Sequence, residues 1–485
     1  MKTFRPYQPE QTLLLPPSIE EWLPEGHLAR FVREVVATLD LSAIEDRYAE
    51  GPGQPPYHPR LMVTLLLYGY STGTYSSRRM AAKLVEDVAY RYLAAWNTPD
   101  FRTLSDFRKF HGPALNGLFV QVLKLCAEAG LVKLGRVAVD GTKVKANASK
   151  HKAMSYGRMV EREAALRQQV AELLARAQAV DEAEDAEYGA DRRDDELPEE
   201  LQRAEGRLAK IQAAKAALEA RAREQAVGEA EVAKARQAER ERQEQANGRR
   251  FAGAPLQVPD PEAAQPAPKA QRNFTDPESR IQKTADGFIQ GYTAVLAVDE
   301  QAQVIVAQHV TPNGPEVQEL LPAVEMIERL LGERPDQVVA DAGYWSEANV
   351  ERLEAQGIDP YLARGRMQHG EPALPPPRGR IPAKLTVAER MQRKLRTKVG
   401  HAVYARRKVI VEPVNGQIKQ ARGFRQFLRR GLERVGQEWS LARGRSPRCT
   451  NRRGLSPCGS GTGRGANHPR SPIVRAAPAN TRTGS

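Results

Sequence analysis

The chain has 485 residues, of which 41% are hydrophobic, enough for two or three domains with ordinary cores. Its longest apolar stretch, Leu61–Leu67, is too short to cross a bilayer, and its N-terminus lacks the apolar core of a signal peptide. Its three cysteines have the spacing of neither a zinc site nor a disulfide framework, which favours a reducing, bacterial-type cytoplasm. The net charge is +13, but nine arginines and no acid lie in residues 442–485. The rest therefore carries only about +4, and charge alone does not establish nucleic-acid binding.

The first 130 residues are predicted to form a helical domain. Helical patterns cover His27–Leu39, Pro59–Tyr70, Ser76–Asp87 and Thr103–Ala129, the last with a break expected at Pro113. The second and third of these helices, with the glycine-containing turn between them, have helix-turn-helix form. The later helix carries Arg78, Arg79 and Lys83, which we predict to contact DNA. An ordinary three-helix core with a solvated basic face is the alternative.

A helical insertion is predicted after a short buried strand at Arg136–Asp140. Apolar residues recur in heptad phase over 159–180 and, less cleanly, over 201–222, where Lys215 is the one polar interruption. We predict an antiparallel coiled-coil hairpin over residues 151–250, followed by a Pro-rich linker at 251–270. A role in spacing or self-association and a purely solvated insertion are both open.

The remainder of the chain is predicted to be an α/β domain built from residues 131–150 and 271–441. Strands and helices are expected in the order strand Gly291–Val298, strand Val304–Gln308, helix Glu316–Leu331, strand Val338–Asp341, helix Glu347–Gln356 capped by Ser346, and strand Asp359–Ala363. This order indicates a mixed sheet flanked by helices. A loop over 364–385 and a basic helical region from Ala388 to about Leu441 follow. Residues 442–485 have almost no large apolar side chain and are predicted to be a disordered basic tail.

Three acids have contexts that suit metal-assisted phosphoryl transfer. Asp140 and Asp341 end short apolar runs, and Glu412 follows Val409–Val411. Two acids at strand ends and a third on a helix would provide the oxygen ligands that two-metal cleavage of a phosphodiester requires.

Each acid also has a structural interpretation. Asp140 and Asp341, which precede glycine or Ala-Gly, are typical of residues that start a turn. Glu412 precedes Pro413, a residue that prefers the first helical turn, so Glu412 is a candidate for the start of a helix.

Basic residues surround the acids and are predicted to contact DNA phosphates. Lys143 and Lys145 follow the first acid; Arg407 and Lys408 precede the third; Lys419, Arg422 and Arg425 follow it. On a helix, Lys419 lies two turns from Glu412 on the same face. A solvated basic helix is the alternative.

Three strings carry a resemblance: Val-Asp-Gly-Thr-Lys-Val-Lys-Ala-Asn-Ala-Ser (139–149), Asp-Ala-Gly-Tyr-Trp-Ser-Glu (341–347) and Val-Glu-Pro-Val-Asn-Gly-Gln-Ile-Lys (411–419). They resemble DDE transposases of bacterial insertion sequences, in the group with an InsH-like N-terminal domain. The likeness runs from about residue 10 to residue 441. Tyr404, Lys408, Glu412 and Lys419 are similar to the Tyr/Arg/Glu/Lys signature of such proteins, with lysine at 408 where arginine is typical.

The resemblance implies an RNase H-like catalytic domain, with Asp140, Asp341 and Glu412 as the catalytic and metal-binding triad. It implies Mg²⁺, with two ions and Mn²⁺ as a substitute, and cleavage and strand transfer acting on terminal inverted repeats and target DNA. It further implies a dimer or larger assembly on DNA and a nucleoid-associated location in a bacterial cytoplasm.

The chain departs from the family pattern at two places. Asn415 stands where an aromatic residue is usual, and the tail replaces an apolar C-terminal helix. The tail suggests a frameshifted copy, so a non-catalytic remnant that binds inverted repeats is the alternative function. An unrelated coiled-coil protein is supported only by residues 158–247.

Overall fold

A computed structural model of the protein describes residues 18–48, 55–188, 199–248, 257–284, 287–365, 377, 379 and 385–442. For residues 177–188, 199–201 and 247 it describes the backbone alone. The predicted tail from 443 onwards and most of the predicted loop at 364–385 lie outside the described residues.

Helices dominate the N-terminal part of the chain. They are α1 Leu28–Thr38, α2 Ser42–Glu45, α3 Pro59–Ser71, α4 Ser77–Glu86, α5 Val88–Ala94, α6 Phe101–Phe110 and α7 Gly112–Glu128. The break predicted near Pro113 is confirmed, because α6 ends at Phe110 and Pro113 occupies the first turn of α7, where its missing N–H costs nothing. The helices predicted on either side of the glycine-containing turn are confirmed as α3 and α4, and α5 was missed.

The turn between α3 and α4 packs against the C-terminal part of the chain. Gly73 has φ +79°, and a Cβ there would lie 2.7 Å from the backbone oxygen of Arg422. The Tyr75 ring meets the Phe424 ring edge to face, with centroids 4.9 Å apart. A larger residue at this turn would therefore disturb both the turn and the contact.

One hydrophobic core joins the N-terminal helices to the sheet. It runs without a break from Tyr70 and Tyr90 to Tyr292, Phe424 and Trp439, which are all nearly inaccessible to solvent. A second core, on the other face of the sheet, is centred on Val139 and Ile327.

The sheet and the helices around it follow the predicted order. The strands are β1 Arg136–Lys145, β2 Ala153–Ser155, β3 Gln271–Asn273, β4 Arg280–Thr284, β5 Gly287–Asp299, β6 Ile305–Thr311, β7 Gln337–Ala340 and β8 Asp359–Leu362. The helices after α7 are α8 Tyr156–Tyr188, α9 Glu199–Asn247, α10 Leu320–Leu331, α11 Glu347–Ala355, α12 Val387–Arg396, α13 Lys398–Gly416 and α14 Leu432–Ala442. The predicted cap of α11 is confirmed, since the Ser346 side chain accepts from Asn349 N.

The main sheet is mixed, as predicted. β1, β7 and β8 are parallel neighbours, while β5 is antiparallel to β1 on its other side and pairs with β4 and β6 along its outer edge. β4 was not predicted. β2 and β3 form a separate two-stranded ribbon at the point where the insertion leaves and rejoins the body.

In the insertion, α8 and α9 pack against each other. Lys215 of α9 contacts Glu163 of α8, and Glu219 of α9 contacts Tyr156 near the start of α8. From Tyr156 to Glu163 the residue number on α8 rises, while that of the partner on α9 falls from Glu219 to Lys215. The two helices are therefore antiparallel. Met159, Leu166, Ile211, Ala214 and Leu218 form its buried seam.

Candidate active site

Asp140 and Asp341 lie side by side on neighbouring parallel strands. The register of β1 against β7 pairs Val139 with Ala340, so the next residue on each strand is one of these two acids. Neighbouring strands lie about 4.8 Å apart, which fixes the separation of the two backbones. The strand register thus brings the two acids together, Asp140 in the middle of β1 and Asp341 directly after the end of β7.

The turn interpretation of Asp140 is wrong. β1 does not end there but continues to Lys145, because β5 is long enough to pair with it throughout. Asp341 does start a turn, and its Oδ1 accepts a 2.8 Å hydrogen bond from Gly343 N. The two acids therefore lie next to each other across the sheet, but only Asp341 also forms the turn that follows its strand.

Glu412 lies in the second half of α13, and its placement at a helix start is wrong. The helix begins at Lys398, fourteen residues earlier, where the side chain of the preceding Thr397 accepts a hydrogen bond from Gly400 N. Pro413 lies inside the helix and leaves the carbonyl of Val409 without its usual N–H donor. Gln303, at the β5–β6 turn, supplies a donor instead, with Nε2 2.7 Å from Val409 O. This tertiary contact explains why a proline is tolerated beside the acid.

The Arg407 side chain links two of the three acids. Its Nη1 lies 3.7 Å from Asp140 Oδ1, and its Nη2 lies 3.8 Å from Glu412 Oε1. The Arg407 side chain is 13% exposed, whereas Lys408 is fully on the surface. Arg407, and not Lys408, is therefore the basic residue that faces the acids.

Asn415 contacts Asp140 directly. Its Nδ2 donates to Asp140 Oδ2 at 2.9 Å. The sequence identified this residue only as a departure from the family pattern. Its position three residues after Glu412, on the same face of a helix, was the signal that could have placed it at the site.

The electrostatics of Asp140 are unfavourable to its charged form. Burial raises the pKa of Asp140 to about 6; the Arg407 charge opposes this increase, and Asp341 and Glu412 add to it. An acid that interacts with two further acids and is mostly withdrawn from water is best stabilised by a cation.

The Glu316 carboxylate and the Tyr344 hydroxyl also lie next to the acids. A Cβ at Gly141 would lie 2.7 Å from Glu316 Oε1 and 3.1 Å from the Tyr344 hydroxyl. A Cβ at Gly343 would lie 3.0 Å from Glu316 Oε2 and 3.1 Å from Asp341 Oδ1. Tyr344 is fully buried, and the acids around it add to the effect of burial in raising its pKa. Glycine at 141 and 343 is thus what lets a fourth carboxylate approach, which sequence reasoning did not predict.

The donor chemistry of the triad suits a hard divalent cation, since carboxylate oxygens are the ligands that Mg²⁺ and Mn²⁺ favour. In the part of the chain that the structure describes, however, no three His, Cys, Asp or Glu side chains are arranged as a finished metal site. Arg407 lies between Asp140 and Glu412 and supplies the positive charge there. The triad fits a cation by chemistry and by charge, and such a cation would compete with Arg407 for the same oxygens.

Several predicted DNA-contacting residues lie on the segments that carry or follow the acids. Lys143 Nζ donates to the backbone oxygen of Lys283, and Lys419 Nζ donates to that of Lys143 at 2.7 Å. Lys145 and Arg425 are exposed, and their backbones are hydrogen-bonded to each other. The Tyr404 ring lies close enough to Arg407 and Asp341 for their charges to affect its pKa, which burial raises.

The other predicted DNA-contacting residues lie apart from the triad. Arg422 Nη1 donates to the backbone oxygen of Ala442 at the end of α14. On α4, Arg78 and Arg79 are exposed, and Lys83 forms a 3.6 Å ion pair with Asp87. The structure does not bring these α4 residues to the acids.

Comparison with known families identifies the class of protein. Residues 17–110 match the family described as "Transposase domain (DUF772)", and residues 258–443 match the family described as "Transposase DDE domain". The chain belongs to the DDE transposases of insertion-sequence type. The DDE domain implies an RNase H-like fold, which is consistent with the mixed sheet. No curated protein and no solved structure matched the chain.

Membership in this family implies DNA as a partner and nuclease or transferase chemistry, for which the family typically uses divalent metal ions. No helix among the described residues is both long and apolar enough to span a membrane.

Proposed function

We propose that the protein cleaves DNA at the ends of its own insertion sequence and joins the freed 3′ ends to target DNA. The observation that carries the proposal is the register that sets Asp140 beside Asp341, with Glu412 brought to them through Arg407. These three acids would hold the divalent metal, for which Mg²⁺ suits the oxygen donors best. When bound, such ions activate the attacking oxygen and stabilise the leaving one.

The chain's own residues position the reacting groups. Asn415 fixes the orientation of the Asp140 carboxylate by donating to one of its oxygens. Lys143, Lys145, Lys419 and Arg425 supply positive charge along the neighbouring surface, where a DNA backbone would pass. The exposed arginines of α4 would hold the terminal repeats at a distance from the chemistry.

Two DNA ends must be brought together for strand transfer, so we propose that the working form is at least a dimer on DNA. The alternative function, a protein that binds inverted repeats without cutting them, differs in one measurable respect. Binding without cutting depends on the basic surfaces but does not depend on the three acids.

The test is nicking of a labelled duplex that carries the ends of the element encoding this chain. With Mg²⁺, the wild-type protein should nick the duplex at the element boundary, and Asp341→Ala should lower the rate by more than about a hundredfold, since even residues that support a metal ligand contribute 10–100-fold. Glu351→Ala, which removes an exposed acid from α11, is the matched control and should leave the rate unchanged. Specific binding by a wild-type protein that never nicks would support the non-catalytic alternative.

A further inference from the structure

A cavity of ≈ 310 Å³ lies where the helical insertion meets the main sheet. Arg221 of α9 lines one side of it and Arg280 of β4 another, and the loop Pro312–Pro315 completes the wall with Gln318. The insertion and the sheet therefore each contribute one arginine to the wall of the cavity.

The positive charge at this cavity is not offset by any ion pair within the described residues. A third arginine, Arg272 of β3, lies close enough to interact with the other two. Burial lowers the pKa of Arg280 to about 10, and the charges of Arg221 and Arg272 add to that decrease. Among residues in the described ranges, none of the three arginines forms an ion pair.

Glu278 lies near Arg272 and Arg280, and its carboxylate is already engaged. Glu278 opposes the lowering of both the Arg272 and the Arg280 pKa, but its Oε2 accepts a 2.6 Å hydrogen bond from Leu432 N. Three arginines close to one another, with Glu278 acting on two of them, leave an excess of positive charge that an anion in the cavity would relieve.

The cavity is connected to the candidate active site by sheet register and by the loop. Arg280 pairs with Gly291, which pairs with Lys145 on β1, so Arg280 and Lys145 lie on either side of the same glycine. The loop that lines the cavity leads directly into Glu316, whose carboxylate lies against Gly141 beside Asp140. The loop Pro312–Pro315 thus links the cavity to the residues beside Asp140.

We infer that this cavity binds a phosphate of the DNA backbone, held jointly by Arg221 of the insertion and Arg280 of the sheet. Arginine presents two parallel N–H donors to a phosphate, which suits a site made by two such side chains. The inference rests on the proposed function, because it takes DNA as the ligand. It gives the insertion a role in holding DNA close to the site of cleavage.

The test compares Arg221→Gln with Arg223→Gln in the full-length chain. Arg280 is less suitable for substitution, because its Nη1 donates to the backbone oxygens of Pro277 and Ser279. Arg223 lies two residues further along α9, is exposed and does not line the cavity, so it controls for the change in net charge. Affinity for a duplex of non-specific sequence is measured against salt concentration.

We expect Arg221→Gln to reduce the slope of log affinity against log salt by about 0.9 in magnitude, the value for one phosphate contact. Arg223→Gln should leave the slope unchanged. Equal slopes for the two variants would overturn the inference, and so would inorganic phosphate raising the thermal midpoint in an Arg221-dependent manner while the DNA slope stays the same.

The two proposals fail in different ways. If the wild-type protein nicks DNA and Arg221→Gln binds like Arg223→Gln, the cavity is not a DNA site and the proposed function survives. If the Arg221 slope effect is present but no divalent metal permits nicking, the phosphate site stands and the catalytic proposal fails.

Discussion

Two carboxylates, Glu163 in the insertion and Asp140 in the sheet, are both largely withdrawn from water beside a basic residue, yet their pKa values move in opposite directions. Their side chains are 8% and 18% exposed. The hydrogen bond from Lys215 lowers the pKa of Glu163, whereas burial raises that of Asp140 to about 6.

The difference lies in the partners of each acid. Glu163 accepts from Lys215 at 2.9 Å, from Arg167 at 2.6 Å and from Gln212 at 3.4 Å. Asp140 accepts from the Asn415 side chain and the Gly141 backbone, with a more distant arginine and two like charges nearby. A paired acid of the first kind stabilises a helical hairpin, while an underpaired acid of the second kind is suited to receive a cation.

The largest expected effect is on the stability of Asp140→Asn in the presence of a chelator. A folded-state pKa near 6, against 3.8 for the free side chain, makes folding less favourable as pH rises from about 4 to about 6. Removing the charge should therefore raise the free energy of unfolding at pH 7 by up to about 3 kcal/mol, at 1.36 kcal/mol per pKa unit. Urea unfolding at pH 7 and at pH 3.5 measures this, and the gain should vanish at the lower pH.

Glu163→Gln is the matched comparison for that experiment. Because the pKa of Glu163 is lowered, its charge favours the folded state above about pH 4.5, and neutralising it should destabilise the protein at pH 7. Changes of the same sign in both variants would refute the contrast between the two acids.

A smaller effect is expected for Arg407→Gln. This change removes the cation that lies between Asp140 and Glu412, and at pH 7 without metal it should cost about 1–3 kcal/mol, as for other bonds to buried charged groups. The loss should shrink at pH 4, where Asp140 is protonated.

The control for Arg407 is its neighbour Arg406. Arg406 forms a 2.6 Å ion pair with Glu300 but is 47% exposed, so Arg406→Gln should cost no more than about 1 kcal/mol. If the two substitutions cost the same, Arg407 is an ordinary surface residue and the triad is not held as described.

The smallest effect is expected for Lys215→Met in the helical hairpin. It removes the closest cation from Glu163, and a loss of about 1 kcal/mol is expected because water screens the edges of a two-helix pair. Hydrogen exchange of α8 and α9 at pH 7 should speed up, while the rate in the main sheet stays the same. The difference should shrink as the pH falls below the ordinary range of a glutamate, because Glu163, whose pKa is lowered, then takes up a proton.

Lys210→Met controls for that change, since Lys210 is exposed on the same helix. Faster exchange in both variants would show that the Glu163–Lys215 contact has no special part in the stability of the hairpin.

Local sequence pattern predicted most of the helices and central strands. The apolar runs before Asp140 and Asp341 form parallel strands, and the cap at Ser346 and the helix break near Pro113 are where local chemistry places them. Heptad spacing predicted the hairpin because each helix needs one apolar face to pair with the other.

Contacts between distant segments decided the rest. Asp140 lies in the middle of a long strand because β5 pairs beyond it, which nothing near residue 140 indicates. Glu412 lies inside a helix despite Pro413 because Gln303, about a hundred residues earlier, donates to the carbonyl that the proline leaves unpaired.

The sequence by itself determined which residues carry the chemistry: three acids in transposase-like motifs, and basic side chains around them. Only the tertiary structure decided that Arg407 and Asn415 contact Asp140, that Glu316 approaches through Gly141 and Gly343, and that Arg221 meets Arg280. The physical reason is that side-chain identity and local periodicity are properties of short segments. Register, burial and the charges that surround a group depend on segments that the chain brings together only on folding.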